Sequence, residues 1–200
     1  MQPANRYTGV VVTMPGPGPR ILEAFLNTVD ERSFRRHGVR HARGDALATP
    51  AQLAAWLAGQ GLAWPGAQAD AADLRAALAL REALRGALLL RAGQPSGDDD
   101  PGRVNDVLAR FPLRLDMRSD GMLRLSAQSP GAGVGGIAAI AADCAANGGW
   151  RRLRICAAPD CRWVFYDTSR SGAGRWCSMA TCGNRAKTRR YRDRRQASSG

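Results

Sequence analysis

The chain has 200 residues and a formal net charge of +12 at pH 7, a length that allows one or two domains and a sizeable core without disulfides. Its composition is ordinary for a globular protein, and no apolar run is long enough to cross a bilayer, which excludes a membrane-spanning protein and predicts no membrane partner. The N-terminal sequence has no apolar stretch of signal-peptide length, so we expect a cytoplasmic protein.

The positive charge is concentrated in the last quarter of the chain. Residues 151–200 contain 13 arginines and lysines against three aspartates, whereas residues 1–150 are nearly balanced. Arginine outnumbers lysine 28 to one, a bias that is typical of GC-rich bacterial genomes. The asymmetry of charge predicts that the C-terminal segment binds a polyanion.

The N-terminal quarter contains one predicted helix between two irregular segments. Alternating prolines and glycines predict a flexible arm over residues 1–19, and apolar residues at helical spacing predict a helix over residues 21–30. Residues 31–46 contain five arginines without apolar periodicity and predict an exposed loop. In that segment His37 and His41 have the spacing of metal ligands, but a glycine lies between them and no third ligand is evident. We therefore predict no metal site there.

Capping signals define the next three helices. A proline and a capping-box pattern at Thr49 and Gln52 predict a helix that ends near Gly59. Aspartates that can act as N-caps predict two further helices, over residues 71–91 and 101–110. Together these helices make the N-terminal part of the chain mainly helical.

A β-hairpin and a helix of small residues follow. Leucines alternate with charged residues over 113–118 and resume over 122–127, and Ser-Asp-Gly between the two runs predicts the turn of a hairpin. The next predicted helix covers residues 135–146 and contains Cys144. No neighbouring group would stabilise its thiolate, so we expect Cys144 to be a small buried apolar residue.

The other four cysteines form two C-x4-C pairs with fifteen residues between them. They are Cys156, Cys161, Cys177 and Cys182. Each pair can place two thiolates about 2.3 Å from one metal ion if the chain between the pairs doubles back. A strand-like run at 163–166 and a glycine-containing turn at 169–174 predict a hairpin between the two pairs.

Four interpretations of these cysteines are open. They are unconnected core cysteines, two disulfides, an iron–sulfur cluster or a zinc site. The paired spacing favours zinc. A site with four thiolates has no open position for water or substrate, so we interpret it as structural and not catalytic. Because no acid–base constellation is evident elsewhere, we do not expect an enzyme.

A basic segment follows the last cysteine. Nothing after Gly183 breaks a helix before Ser198, and a helix there would be anchored by the last metal ligand and carry seven basic residues. Its charge and size suit a DNA major groove or a row of phosphates. The candidate DNA-binding residues are Asn184, Arg185, Lys187, Arg189, Arg190, Arg192, Arg194 and Arg195. Of these, we expect Asn184, Arg185 and Lys187 to lie nearest the bases.

Two parts of the sequence resemble known protein families. The string RWCSMATCGNR and the basic segment after it resemble the CGNR zinc finger, which is named for the motif at residues 182–185. Upstream, FLNTVD at 25–30, LATPAQLAAWL at 47–57 and LREALRGALL at 80–89 are similar to the ABATE domain. The departure from the family is the stretch at 31–44, which is longer and more basic than the resemblance implies.

The resemblance implies an α+β fold with two domains. A mainly helical ABATE-like domain with a β-hairpin would cover residues 20–149, and a treble-clef-like finger would cover residues 150–197. The finger would consist of a zinc knuckle, a β-hairpin and the basic helix, with the four cysteines bound to one structural Zn²⁺. The family is described as stress-induced transcription regulators of bacteria, so the resemblance implies a zinc-dependent DNA-binding regulator.

An alternative function and a ligand pocket complete the predictions. The alternative is a zinc-stabilised adaptor that binds RNA or protein through the basic helix, with Trp163, Tyr166 or Trp176 stacking on RNA bases if they are exposed. Polar residues on the apolar helices could also form a pocket for a small anionic effector. These residues are Asn27, Thr28, Arg81, Glu82 and Arg85. The competing interpretation is that Glu82 and Arg85 form an ion pair within one helix.

Overall fold

The computed structural model describes residues 18–36, 39–63, 66–94, 100–128 and 133–197. Most of the predicted arm at 1–19 lies outside the described residues, as does His37 of the histidine pair. The described chain combines helices with small antiparallel hairpins, so the predicted α+β class is confirmed.

Helices make up about half of the structure. They are α1 (Gly18–Leu26), α2 (Pro50–Gly59), α3 (Ala71–Arg91), α4 (Pro101–Leu108), α5 (Val134–Ala146), α6 (Gly149–Arg152) and α7 (Asn184–Ala197), and a π-helical turn (Met179–Gly183) leads into the last of them. The capping box predicted for α2 is present: Gln52 N donates to Thr49 Oγ1 at 3.2 Å, and Thr49 N donates to Gln52 Oε1 at 2.9 Å. Within the described residues, no helix combines the length and apolar character needed to cross a membrane.

In the described part of the chain the strands form four antiparallel pairs. They are β1 (Val29–Asp30) with β4 (Gly44–Asp45), β2 (Arg35–Arg36) with β3 (Val39–Arg40), β5 (Leu113–Met117) with β6 (Leu123–Ala127), and β7 (Leu153–Ile155) with β8 (Val164–Tyr166). The hairpin predicted from the alternating leucines is confirmed as β5 and β6, with Leu115 opposite Leu125 and Met117 opposite Leu123. Its apolar face is not covered by the rest of the described chain, because Leu115 and Met117 are 61% and 74% exposed.

The segment at 31–46 is more structured than the predicted loop. The first helix ends at Leu26 and not near Asp30, and the next residues form β1, which pairs with β4 at the end of the segment. Between them β2 and β3 form a small hairpin, and Phe34 beside it is buried. The segment is held in place by the tertiary contact of one aromatic side chain, Phe34. A single buried residue produces no apolar periodicity, so the sequence pattern did not indicate this structure.

The hairpin predicted between the two cysteine pairs is wrong in its pairing. The strand β8 pairs with β7, which precedes the first cysteine pair, and residues 171–177 form no strand. The physical reason is burial: Leu153 and Val164 are fully buried in the main core, which holds these two strands together. The turn at 169–174 forms around Asp167, whose carboxylate accepts hydrogen bonds from the Ser169 and Gly174 backbone N–H groups at 2.9 and 2.7 Å.

One hydrophobic core extends from the N-terminal helices into the four-cysteine unit (residues 150–197). Its fully buried members come from α1, α2, α3 and α5, from the segments that flank α2 and from the β7–β8 hairpin, and include Leu22, Phe25, Leu53, Leu80, Leu88, Ile137, Leu153 and Val164. The β7–β8 hairpin therefore belongs both to the N-terminal core and to the four-cysteine unit, since the first cysteine pair lies between its strands.

Polar side chains from the N-terminal helices also bind the backbone of this hairpin. Asn27 Nδ2 donates to Val164 O at 2.8 Å, and Val164 N donates to Asn27 Oδ1 at 2.9 Å. The guanidinium of Arg91 donates to Trp150 O at 2.6 Å and to Leu153 O. The side-chain amide of Asn27 thus binds Val164 as a neighbouring strand would, because it accepts a hydrogen bond from the N–H of Val164 and donates one to its C=O.

We expect Asn27→Ala to lower the free energy of unfolding by about 1–3 kcal/mol, because it leaves the buried N–H and C=O of Val164 without partners. The measurement is urea unfolding of the zinc-loaded chain. Asn105→Ala, at an exposed position of α4, is the matched control and should change stability little. Equal effects of the two substitutions would contradict the proposed role of Asn27.

Candidate metal centre and basic helix

The four cysteines of the two C-x4-C pairs meet at one point. The Sγ atoms of Cys156, Cys161, Cys177 and Cys182 all lie within 4.8 Å of one another. The distance from Cys161 Sγ to Cys177 Sγ is 3.7 Å, and the distance from Cys177 Sγ to Cys182 Sγ is 3.8 Å. Four sulfurs placed tetrahedrally about 2.3 Å from a central zinc ion would be separated by about 3.8 Å. The donor set therefore fits one Zn²⁺ and fills its coordination.

Two local structures present the two pairs. The first pair lies on the tight turn between β7 and β8: Cys161 N donates to Ala158 O at 2.9 Å, and Arg162 adopts a positive φ of 48° as the chain turns back. In the second pair, Cys182 lies in the π-helical turn before α7. The Ser178 hydroxyl caps that turn by accepting a hydrogen bond from Thr181 N at 3.3 Å. A turn and a helix start therefore supply two thiolates each, as the predicted finger requires.

Electrostatics favour a cation at this site, because thiolates this close together repel one another. Hydrogen bonds from Cys161 and Cys177 lower the pKa of the Cys156 thiol to about 2. The hydrogen bond to Cys156 raises the pKa of Cys161 to about 12, and the same neighbour raises the pKa of Cys177 still more strongly. Without a metal, one ionised sulfur therefore keeps its neighbours protonated. Only a bound cation can make all four sulfurs anionic together.

The other interpretations of the cysteines fit the geometry less well. All five cysteines are free, and the sulfur separations are far longer than the bond of about 2.05 Å in a disulfide. An iron–sulfur cluster would hold its cysteine sulfurs farther apart, because they bind different iron atoms. The fifth cysteine, Cys144, is buried in α5, where burial raises the pKa of its thiol to about 11, and it is not among the four sulfurs that meet at the site. The site is that of one structural zinc.

A second, small hydrophobic cluster surrounds the sulfurs. Phe34 packs against the cysteines, and Trp163 and Trp176 cover the cluster from the outside. The backbone N–H of Ser33 donates to Asp160 O at 3.0 Å, which fixes the 31–46 segment beside the first pair. Sequence reasoning missed Phe34; the only signal was a single aromatic residue in an arginine-rich segment.

Arg185, from the CGNR string, lies at the metal centre. Its guanidinium donates two hydrogen bonds to the Asp160 carboxylate at 2.6 and 3.0 Å, and its Nη2 lies 3.6 Å from Cys182 Sγ. The guanidinium carbon also lies 3.8 Å from the centre of the Phe34 ring. These contacts hold the start of α7 against the first cysteine pair and place a positive charge beside a thiolate. DNA contact by Arg185 stays a prediction; its two Nη groups already have partners here, whereas its buried Nε has none among the described residues.

The rest of the basic helix is open to solvent. Over its described length α7 has no buried residue, and the Asn184 side chain only reaches back to Ala180 O at 3.4 Å. Arg194 Nε donates to Arg190 O at 3.3 Å, and the guanidinium of Arg195 lies 5.8 Å from the Tyr191 ring. Exposed side chains along the helix include Lys187, Arg189, Arg190 and Arg192. The candidate DNA-binding residues other than Arg185 thus lie on one accessible basic helix.

The residues predicted to line a ligand pocket have partners within the protein. Arg81 donates to both oxygens of Asp45 at 2.7 and 2.6 Å and to Thr28 Oγ1 at 3.0 Å. This contact with Arg81 lowers the pKa of Asp45. Arg85 donates to Leu26 O and pairs with Glu31. The ion pair expected between Glu82 and Arg85 is replaced by a contact of Glu82 with Arg81 at 3.2 Å.

Asn27, the fifth of these residues, binds Val164 instead. The five side chains therefore serve at least two separate contacts, one within the N-terminal helices and one to the β7–β8 hairpin. Their role in effector binding stays a prediction.

Two protein-family models match the chain. The CGNR zinc finger model matches residues 152–195, and the ABATE model, described as "Putative stress-induced transcription regulator", matches residues 20–148. The second match covers more than half of the chain, and the two follow one another in the order that the resemblance implies. A search of the curated proteins found no match. The family prediction is confirmed.

Removal of one ligand sulfur should release the metal. We expect one zinc per chain in the wild type and in Cys144→Ala, whereas Cys177→Ser should bind zinc more than about 100-fold more weakly, since even second-sphere changes cost about 10–100-fold. The measurement is elemental analysis together with competition against a chromophoric chelator. Equal zinc content in Cys177→Ser and Cys144→Ala would contradict the assignment of the ligands.

Proposed function

We propose that this chain, which belongs to the ABATE family and ends in a CGNR zinc finger, is a zinc-dependent DNA-binding transcription regulator and not an enzyme. The observation that carries the proposal is α7. Seven of its 14 residues are arginine or lysine, none of the 14 is buried, and the helix begins directly after the π-helical turn that holds the last zinc ligand. An exposed basic helix with one rigidly fixed end is suited to a groove lined with phosphates.

The dimensions and the charge of α7 support duplex DNA as the partner. A helix of 14 residues is about 21 Å long, and the major groove of DNA admits a helix of this kind. Asn184 and Lys187 are exposed at its start and are our candidates for contacts with base edges. The arginines farther along, such as Arg189 and Arg192, would bind phosphates and fix the register of the helix on the duplex.

The 31–46 segment supplies a second basic element near the same helix. Across the β2–β3 hairpin Arg35 lies directly opposite Arg40, and both side chains are exposed. Like charges at opposed positions destabilise a hairpin, so this pair favours an external anion. Phe34 precedes Arg35 and packs under the Arg185 guanidinium at the start of α7. We therefore include this hairpin among the phosphate-contacting elements.

The three aromatic residues predicted to stack on RNA bases give little support to the RNA-binding alternative. Sequence-specific RNA binding commonly uses exposed aromatic rings on which unpaired bases stack. Trp163 is half-buried and covered by the Arg32 guanidinium at 4.1 Å, and Trp176 packs into the cluster around the sulfurs. Tyr166 packs against the main core. These three rings therefore support the packing of the finger and offer little surface for stacking.

Selection of bound fragments from a random duplex library by the zinc-loaded full chain tests the proposed function. We expect one enriched motif, which Arg189→Ala/Arg192→Ala should bind more weakly, with the slope of log K against log salt reduced by about 1.8, or 0.9 for each lost phosphate contact.

The matched control for this variant is Arg75→Ala/Arg110→Ala. It removes the same charge from exposed positions outside the finger and the 31–46 segment, and should leave the slope unchanged. Salt-dependent binding without an enriched motif, with similar affinity for single-stranded RNA, would contradict the regulator and support the adaptor.

Loss of the opposed arginines should weaken DNA binding without changing the selected motif. We expect Arg35→Ala/Arg40→Ala to reduce the salt slope by up to about 1.8 and to leave the free energy of unfolding equal or slightly higher, because the repulsion between the two side chains is removed. Fluorescence anisotropy with the selected duplex at several salt concentrations measures the slope. A slope equal to that of Arg75→Ala/Arg110→Ala would exclude the hairpin from the interface.

A further inference from the structure

A cleft of about 160 Å³ lies where the N-terminal helices meet the four-cysteine unit. One wall is the end of α3, with Leu88 and Arg91; the other consists of Arg154 on β7 and the loop that contains Arg175. A single water molecule needs about 10–15 Å³ on the same measure, so the cleft has room for a larger polar group. It is separate from the residues predicted to form an effector pocket.

Three arginines and no carboxylate line this cleft. Arg91, Arg154 and Arg175 contribute to its walls, and its remaining lining residues, all within the described part of the chain, are apolar or uncharged. Burial and the nearby charge of Arg154 lower the pKa of the Arg91 guanidinium. The carboxylate that feels the charge of Arg154 is that of Asp167, whose oxygens already accept the Ser169 and Gly174 N–H groups. This single carboxylate beside the cleft offsets at most one of the three guanidinium charges.

The donors of these arginines are only partly used. Arg154 donates from Nη2 to Gly172 O, but its Nε is buried and has no hydrogen-bond partner among the described residues. Arg91 donates to two carbonyl oxygens, which carry no full charge, and Arg175 lies 5.5 Å over the Trp176 ring. A buried guanidinium N–H without an acceptor is costly, and an anion in the cleft would supply one.

We infer that this cleft binds a phosphate group. Guanidinium groups arranged on several sides suit a tetrahedral dianion, which can accept hydrogen bonds from more directions than a planar carboxylate can. The phosphate group could belong to a small phosphorylated molecule or to the backbone of bound DNA. The chemistry of recognition is the same for both sources.

The position of the cleft connects it to the zinc site. Arg154 is two residues before Cys156, and Arg175 is two residues before Cys177. The two segments of the second wall are also joined through the backbone, because Ala157 N donates to Arg175 O at 2.8 Å. A phosphate group held between α3, Arg154 and Arg175 would therefore stabilise the contact between the N-terminal helices and both cysteine pairs.

The test uses inorganic phosphate with the zinc-loaded full chain, without DNA. We expect phosphate to raise the melting temperature more than acetate or chloride does at equal ionic strength, and isothermal titration calorimetry to show one site per chain. Arg175→Gln and Arg154→Gln should each weaken phosphate binding about tenfold or more, because each removes a charged donor. The matched control, Arg110→Gln at an exposed position, should bind phosphate as the wild type does.

The outcomes separate the site from the proposed function. No phosphate-specific shift in the wild type, or an equal affinity in Arg154→Gln, Arg175→Gln and Arg110→Gln, would overturn the inference whether or not the chain binds DNA. If the site is occupied by DNA, phosphate should compete with the selected duplex and Arg175→Gln should reduce the salt slope. If it is occupied by a small molecule, Arg175→Gln should lose phosphate binding and keep the salt slope of the wild type.

Discussion

The mutual proximity of four cysteine sulfurs is the constraint on which the C-terminal part of the structure depends. Sulfurs within 4.8 Å of one another can all be anionic only around a cation, so the metal joins the β7–β8 turn to the start of α7. Four thiolates exceed the charge of one zinc ion, and Arg185, bound to Asp160 and beside Cys182, offsets part of that excess. The direction in which the basic helix leaves the protein follows from these contacts.

The sequence was informative where the signals are local. Cysteine spacing, the capping box of α2 and the alternation in β5 and β6 each depend on residues close together in the chain, and the structure confirms all three. The strands β7 and β8 have three residues each, too short to show a period, and the contact of Arg185 with Asp160 joins residues 25 apart in the chain. Buried polar side chains such as Arg81 are ambiguous for the same reason, since Asp45, its partner, lies 36 residues away.

The two matched families share one physical unit in this chain. The β7–β8 hairpin carries the first cysteine pair and at the same time completes the core under α1, α3 and α5. Asn27 and Arg91 then bind its backbone from the helical side, at Val164 and Leu153. Binding energy from the metal is therefore shared with the folding of the N-terminal helices, and a change in either part reaches the other through the two strands of this hairpin.

The absence of any buried residue over the described length of α7 separates recognition from folding. Substitutions on this helix beyond Arg185 touch neither the core nor the sulfurs, so their cost to stability is small. Under the proposed function, the preference for a target can therefore change through the outer helix alone, while the metal site and the helical scaffold stay constant.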